Sequence, residues 1–112
     1  MASELTIPDN NQVLLRGSFA GEAVLRTLPS GDELVSFRVT VPRPPGGRTR
    51  VDSIECASSK PAVRRSAARC QPGEVVELSG SLRRRFWRSA AGTPASRYEV
   101  EVTSLRRSRV AL

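Results

Sequence analysis

Histidine does not occur among the 112 residues. Its absence removes the commonest general base and a frequent metal ligand. Cysteine occurs only at Cys56 and Cys70, too few for a disulfide framework and without the spacing of a metal site. Both read as reduced thiols acting as small buried apolar groups. There is no phosphate-binding loop, no Gly-x-Ser-x-Gly elbow and no paired metal-ligand motif. The acidic residues stand mostly singly between apolar strand positions, as on a solvated face. Neither catalysis nor a cofactor nor a resident metal is expected. No apolar run is long enough to span a bilayer. The first residues, MASELTIPDNNQ, have neither the basic nor the apolar region of a signal peptide. The expected location is the cytoplasm, with no membrane partner. Aromatic residues are also scarce, at 4% of the chain.

What is abundant is arginine. Eighteen basic residues oppose eleven acids for a net charge of +7, and every basic residue but Lys60 is arginine. Arginine offers a planar fork that grips phosphate bidentately and stacks on flat rings, where lysine offers a point charge. The excess is uneven. Residues 1–47 carry −1 and residues 48–82 carry +2, whereas residues 83–112 carry +6 from eight arginines and two glutamates. Such clustering describes a patch rather than a solubilising coat. The competing reading is that arginine is compositional background with no acidic ligand.

The chain reads as alternating strands with one helix. Residues 12–19 (QVLLRGSF) form a β-type run in which Gly17 suggests a bend or bulge. Residues 22–28 make a second extended piece, closed by the turn signal Pro29-Ser30-Gly31. In residues 34–41, Val35, Phe37, Val39 and Val41 alternate with polar residues, a half-buried strand. The PRPPGG of residues 42–47 must be a loop, after which residues 48–57 resume alternation through Ile54 and Cys56. Residues 58–70 are the one helix candidate, with Ser58 or Ser59 as cap, Pro61 in the first turn, and Val63, Ala67 and Cys70 as its apolar stripe. Residues 74–87 form a long strand with Val76, Leu78, Gly80 and Leu82 inward. A soft loop over residues 89–95 leads to a last strand over residues 96–105, where Val100 and Val102 alternate with Glu99 and Glu101.

The order of strand, strand, strand, short helix, strand, strand, with a long bent first strand, is that of an OB-fold. This is a five-stranded, all-β Greek-key barrel with a helix between its third and fourth strands. A generic small β-barrel or β-sandwich is the structural alternative. The organisation expected is a flexible N-terminus over residues 1–10, the barrel domain over 11–105 and a basic tail over 106–112.

Three segments carry a resemblance: NQVLLRGSF, LRTLPSGDELVSFRVTV and GEVVELSGSLRRRFW, in order and over most of residues 11–105. Together they resemble the bacterial single-stranded DNA-binding proteins. The middle segment is similar to that family's first hairpin, the last to its Gly-x-Leu-Arg-x-Arg-x-Trp strand. The resemblance implies an OB-fold that coats single-stranded DNA in replication, repair or recombination without strong sequence preference. It implies a homo-oligomer, a tetramer in preference to a dimer, associated with the nucleoid. There are departures. Where the family reads Asp/Glu-Trp-Ile and a Phe-Gly-Lys-like turn, this chain has Asp52-Ser53-Ile54 and Ser58-Ser59-Lys60, so two stacking rings are missing. The family's glycine-rich linker and acidic tip are missing too, so a short paralogue without tail-mediated protein recruitment is expected.

The ten residues GSLRRRFWRS concentrate the chemistry. Side chains alternate along a strand, placing Arg83, Arg85 and Trp87 on one face and Arg84, Phe86 and Arg88 on the other. Closing this segment into a barrel would bury Arg84 without a partner, which is costly. The strand is therefore expected to leave the barrel as a two-sided hairpin arm. In the family this arm grips DNA, so Trp87 and Phe86 are candidate stacking rings, with Arg83, Arg84, Arg85 and Arg88 as phosphate contacts. The alternative is that both rings pack at a subunit interface. Arg26, Arg38 and Lys60 stand where the family has basic or polar contacts, and Arg50 and Arg97 stand next to such positions. Phe37 reads as core, and Tyr98 fits either core or arm. Loss of Trp87 is expected to weaken binding, and loss of Arg85 to flatten its salt dependence.

Two functions compete on these residues. One is a sequence-tolerant binder of single-stranded DNA, with RNA as a variant ligand because nothing here reads or excludes a 2′-hydroxyl. The other is an OB-fold interaction module that serves a protein partner or its own oligomer.

Overall fold

The computed structural model describes residues 7–108. Strands β1 (Val13–Thr27), β2 (Glu33–Pro42), β3 (Val51–Ser58), β4 (Val75–Arg88) and β5 (Pro94–Arg107) form a closed barrel in the order β1-β2-β3-β5-β4. Helix α1 (Pro61–Arg69) joins β3 to β4. This is the OB-fold arrangement expected from the element order, and closure leaves the barrel without a free edge.

Alternation places the core. Val35, Phe37 and Val39 of β2 are buried, as are Val76 and Leu78 of β4 and Val100 and Val102 of β5. Phe19 and Phe37 stack at 5.3 Å between ring centroids in the barrel interior. Val63, Ala67 and Cys70 of the helical stripe close one end of that core. Both cysteines are free and buried, and burial pushes the Cys56 thiol up to about 12. As apolar filler they behave as expected.

Closure depends on a thin seam. β3 and β5 run parallel and pair only through Cys56↔Val100 and Ala57↔Glu101. Ser58 lengthens the seam, its hydroxyl donating to the Val102 carbonyl at 2.7 Å. The same hydroxyl oxygen accepts from the Lys60 N–H at 3.2 Å, so Ser58 bonds the backbone just ahead of the helix without standing at its N-cap. Its side chain is buried (2% exposed), where an unbonded hydroxyl would be costly. The N-cap is Lys60, without a side-chain cap bond, and the helix is shorter than residues 58–70.

Several other boundaries moved. The two extended pieces read over residues 12–28 are one long first strand, β1, as the element order expected, and it keeps unbroken register with β4 through Gly17. The irregularity comes later, between Ala20 and Val24, around Gly21 at φ 71°; by then β1 has already passed from β4 to β2, pairing with both at Ser18. β3 begins at Val51, so Arg48 and Arg50 belong to the loop. Leu82 is 46% exposed rather than inward, because β4 has by then passed the barrel rim. β5 is longer at both ends than residues 96–105, running from Pro94 to Arg107. The Ser108 N–H donates to the Val75 carbonyl, so the first residues of the segment read as a tail continue the sheet. The rest of that segment, residues 109–112, and residues 1–6 of the expected N-terminal segment lie outside the described residues. Asn11 acts as an extra rung: its amide donates to the Leu82 carbonyl and its Oδ1 accepts from the Leu82 N–H, each at 2.8 Å.

Candidate nucleic-acid interface

Beyond Leu82 the β4–β5 hairpin leaves the barrel. Six consecutive pairs, from Arg83↔Glu99 to Arg88↔Pro94, form the arm, and residues 83–88 are all exposed. At about 3.4 Å per residue the arm reaches roughly 20 Å. The departure begins at a register break between Ser79 and Gly80. A Cβ at residue 80 would stand 2.1 Å from the Glu101 carbonyl oxygen, far inside van der Waals contact, so only glycine lets β4 approach β5 there. The tip is a tight turn in which the Gly92 N–H donates to the Ser89 carbonyl, with Gly92 at φ 80°.

The register sorts the arm into two faces. One carries Arg83, Arg85 and Trp87 of β4 with Arg97 and Glu99 of β5. It is internally compensated. Glu99, read from sequence as a solvated acid, is only 8% exposed and accepts from Arg85 Nε at 2.5 Å, with Arg97 at 3.9 Å. Glu101 accepts from Arg83 at 3.2 Å and from Arg85 at 3.3 Å. The bond to Glu99 leads the causes that hold the Arg85 guanidinium above its ordinary pKa. Trp87 stands at the outer end of this face, 46% exposed, with the Arg97 guanidinium 5.8 Å from its ring centroid.

The second face carries Arg84, Phe86 and Arg88 with Ser96 and Tyr98. Arg84 lies 4.9 Å from the Phe86 centroid and 5.5 Å from that of Tyr98, and donates to Ser96 Oγ at 3.1 Å. Phe86 is 71% and Tyr98 59% exposed. Sequence reasoning left Tyr98 between core and arm. The signal lay in its register opposite Arg84, which a single strand's pattern does not reveal.

The remaining candidates are spread over other elements. Arg26 and Arg38 share the outward face of β1 and β2, with Val24 and Ser36 between them in the ladder. Arg38 stands opposite Glu55 across β2–β3, and both arginines are exposed. Lys60 is exposed at the start of α1, and Arg50 is exposed at the end of the β2–β3 loop. In that loop Arg43 is held by Asp52 at 2.6 Å, and this pairing leads the causes that keep the Asp52 carboxyl below its usual range. Where the resemblance would place rings, Ser53 is exposed on β3 and Ser58 is buried in the seam. All three exposed rings of the protein therefore sit on the arm.

A closed five-stranded barrel that projects a basic, ring-bearing hairpin is an OB-fold of the class that holds oligonucleotides. The chain belongs to the single-strand binding protein family, whose model matches residues 10–108. That family is one of non-catalytic DNA-binding proteins, which agrees with the absence of catalytic motifs. Among solved structures, the barrel is similar to that of a Plasmodium falciparum single-strand binding protein in complex with single-stranded DNA. The TM-score is 0.73 at 17% identity, over 94% of this chain and 100% of that one. No curated protein gave a significant match. Among the described residues no helix is long and apolar enough to cross a membrane.

Proposed function

We propose that the protein coats single-stranded DNA without sequence preference by laying the strand along the arm. One observation carries this reading: the three exposed rings stand on one hairpin together with five arginines. Rings accept any base, because every base has a π face, and each stacked base contributes about 1–3 kcal/mol. Cations that meet phosphates add affinity that falls with salt, by about 0.7 in log–log slope per phosphate on single strands. In this reading Trp87 and Phe86 stack, while Arg83, Arg84, Arg85, Arg88 and Arg97 line the arm. Arg26 and Arg38 extend the path over β1 and β2, and Lys60 and Arg50 are outlying contacts. A homotetramer in the nucleoid, acting in replication, repair or recombination, is the matching assembly and setting. Leu14, 82% exposed on β1 beside Ser79 and Ser104, is an apolar point suited to a subunit contact.

The test is equilibrium binding of a labelled dT oligomer by fluorescence anisotropy. Trp87→Ala is expected to weaken binding about 5- to 150-fold, the loss of one stacked base. Equal affinity of Trp87→Ala and the parent would overturn the site. An OB-fold interaction module would then be the better reading.

A further inference from the structure

The exposed rings divide between two sides of one hairpin. Trp87 stands on the face where Arg83 and Arg85 are tied to Glu101 and Glu99. Phe86 and Tyr98 stand on the other, and among the described residues no acidic side chain shares that face of the arm. Its cations are free of carboxylates. Arg84 is bonded to the Ser96 hydroxyl and Arg88 donates to the Gly92 carbonyl at 3.0 Å.

This face is built rather than loose. Arg84 is held near both rings, with Nε and Nη2 3.3 and 3.1 Å from Ser96 Oγ, so its plane and charge are fixed between Phe86 and Tyr98. Both rings nevertheless remain more than half exposed. Exposed aromatics beside an uncompensated guanidinium suit a ligand that is flat, apolar on its faces and anionic along its length. Single-stranded polynucleotide has that chemistry. An apolar protein partner would be served by the rings alone, and the missing acids argue against a second copy of this same cationic face.

We propose that Arg84, Phe86 and Tyr98 form a second stacking surface for single-stranded polynucleotide, independent of the Trp87 face, so that one arm holds strand on both sides. The proposal rests on the single-strand reading given above. It adds that the two faces load separately, because the paired backbones of β4 and β5 lie between them.

The test uses the full chain and dT oligomers containing bromodeoxyuridine. After irradiation, trypsin releases Tyr98 in the peptide spanning residues 98–106, apart from the peptide of residues 86–88, in which fragmentation sequencing tells a Trp87 adduct from a Phe86 one. Adducts at both Tyr98 and Trp87 are expected. The double variant Phe86→Ala/Tyr98→Ala should still quench Trp87 with short oligomers but lose at least about five-fold in affinity for long ones. Adducts at Trp87 alone, with unchanged long-oligomer affinity in the double variant, would overturn the second surface and leave the first standing. A smaller particle mass for the double variant in light scattering, without change in DNA affinity, would overturn it in favour of a subunit contact. A parent that neither binds nor crosslinks would remove the single-strand reading itself, and this surface with it.

Discussion

Arg85 and Arg84 are neighbours in sequence with opposite surroundings. Arg85 points to the face where Glu99 is nearly buried, and its guanidinium completes that carboxylate's hydrogen bonding. Removing it leaves Glu99 with only Arg97 at 3.9 Å. An unsatisfied buried polar group costs about 1–3 kcal/mol, and a charged one more. Arg85→Ala is therefore expected to lower the melting temperature by several degrees. Because Glu99 and Glu101 already neutralise Arg85, the salt slope of DNA binding should change little, in place of the flattening expected from sequence. Arg84→Ala should do the reverse, flattening the slope by about 0.7 with little loss of stability. Thermal melts and salt titrations of both variants check this, and equal slopes for the two would contradict it. The sequence shows the alternation that separates the two arginines. It does not show Glu99, which lies on the other strand and becomes a partner only through register. The cysteines offer a second check at this scale. With Cys56 buried and its thiol raised to about 12, a thiol reagent at mildly alkaline pH should modify it only after denaturation.

Strand β4 serves two environments along one run. Up to Leu78 its alternate residues fill the barrel, and from Arg83 they fill a solvated arm. The change happens at Gly80, where β4 and β5 approach too closely for a side chain. Gly80→Ala should force the strands apart and destabilise the fold by about 1–3 kcal/mol, read as a lower melting temperature. A stability equal to the parent's would mean that the strands can separate freely there. At the opposite end of the sheet, Glu77 joins three strands through Arg106 at 3.1 Å, Ser108 at 3.3 Å and Arg16 at 3.9 Å. The hydrogen bond from Arg106 leads the causes that hold its carboxyl below the ordinary value. A carboxylate lowered in the fold contributes stability above its unfolded pKa and loses it as pH falls through the folded value. Between about pH 5 and pH 3 the melting temperature of Glu77→Gln should fall less steeply than the parent's. Strands and helix were legible here because period two and Pro61 announce them. Caps and irregularities were less so: Ser58 bonds the barrel seam and the Lys60 N–H while Lys60 holds the N-cap position, and the register break of β1 falls between Ala20 and Val24, after Gly17.

At the scale of the molecule, the radius of gyration is 16.9 Å, against about 13 Å for a compact domain of this length. The protein spends length on reach, in keeping with a binder that must contact an extended ligand. The order of elements pointed to the OB-fold but left a β-sandwich open, which the closed strand order removes in favour of the barrel. Its closing seam, two parallel pairs between β3 and β5, joins residues more than forty positions apart and has no local signature. The charged alternation of residues 83–88 on both faces pointed to the arm, but the division of its charge into a compensated and an uncompensated face needed the register. The central claim is that the arm stacks bases among cations, and the protein's one tryptophan reports on it directly. The measurement is a titration with a dT oligomer, following Trp87 fluorescence at low and at moderate salt. The account predicts strong quenching at saturation in both conditions, with affinity falling as salt rises. Binding without quenching, or no binding at low salt, would contradict it.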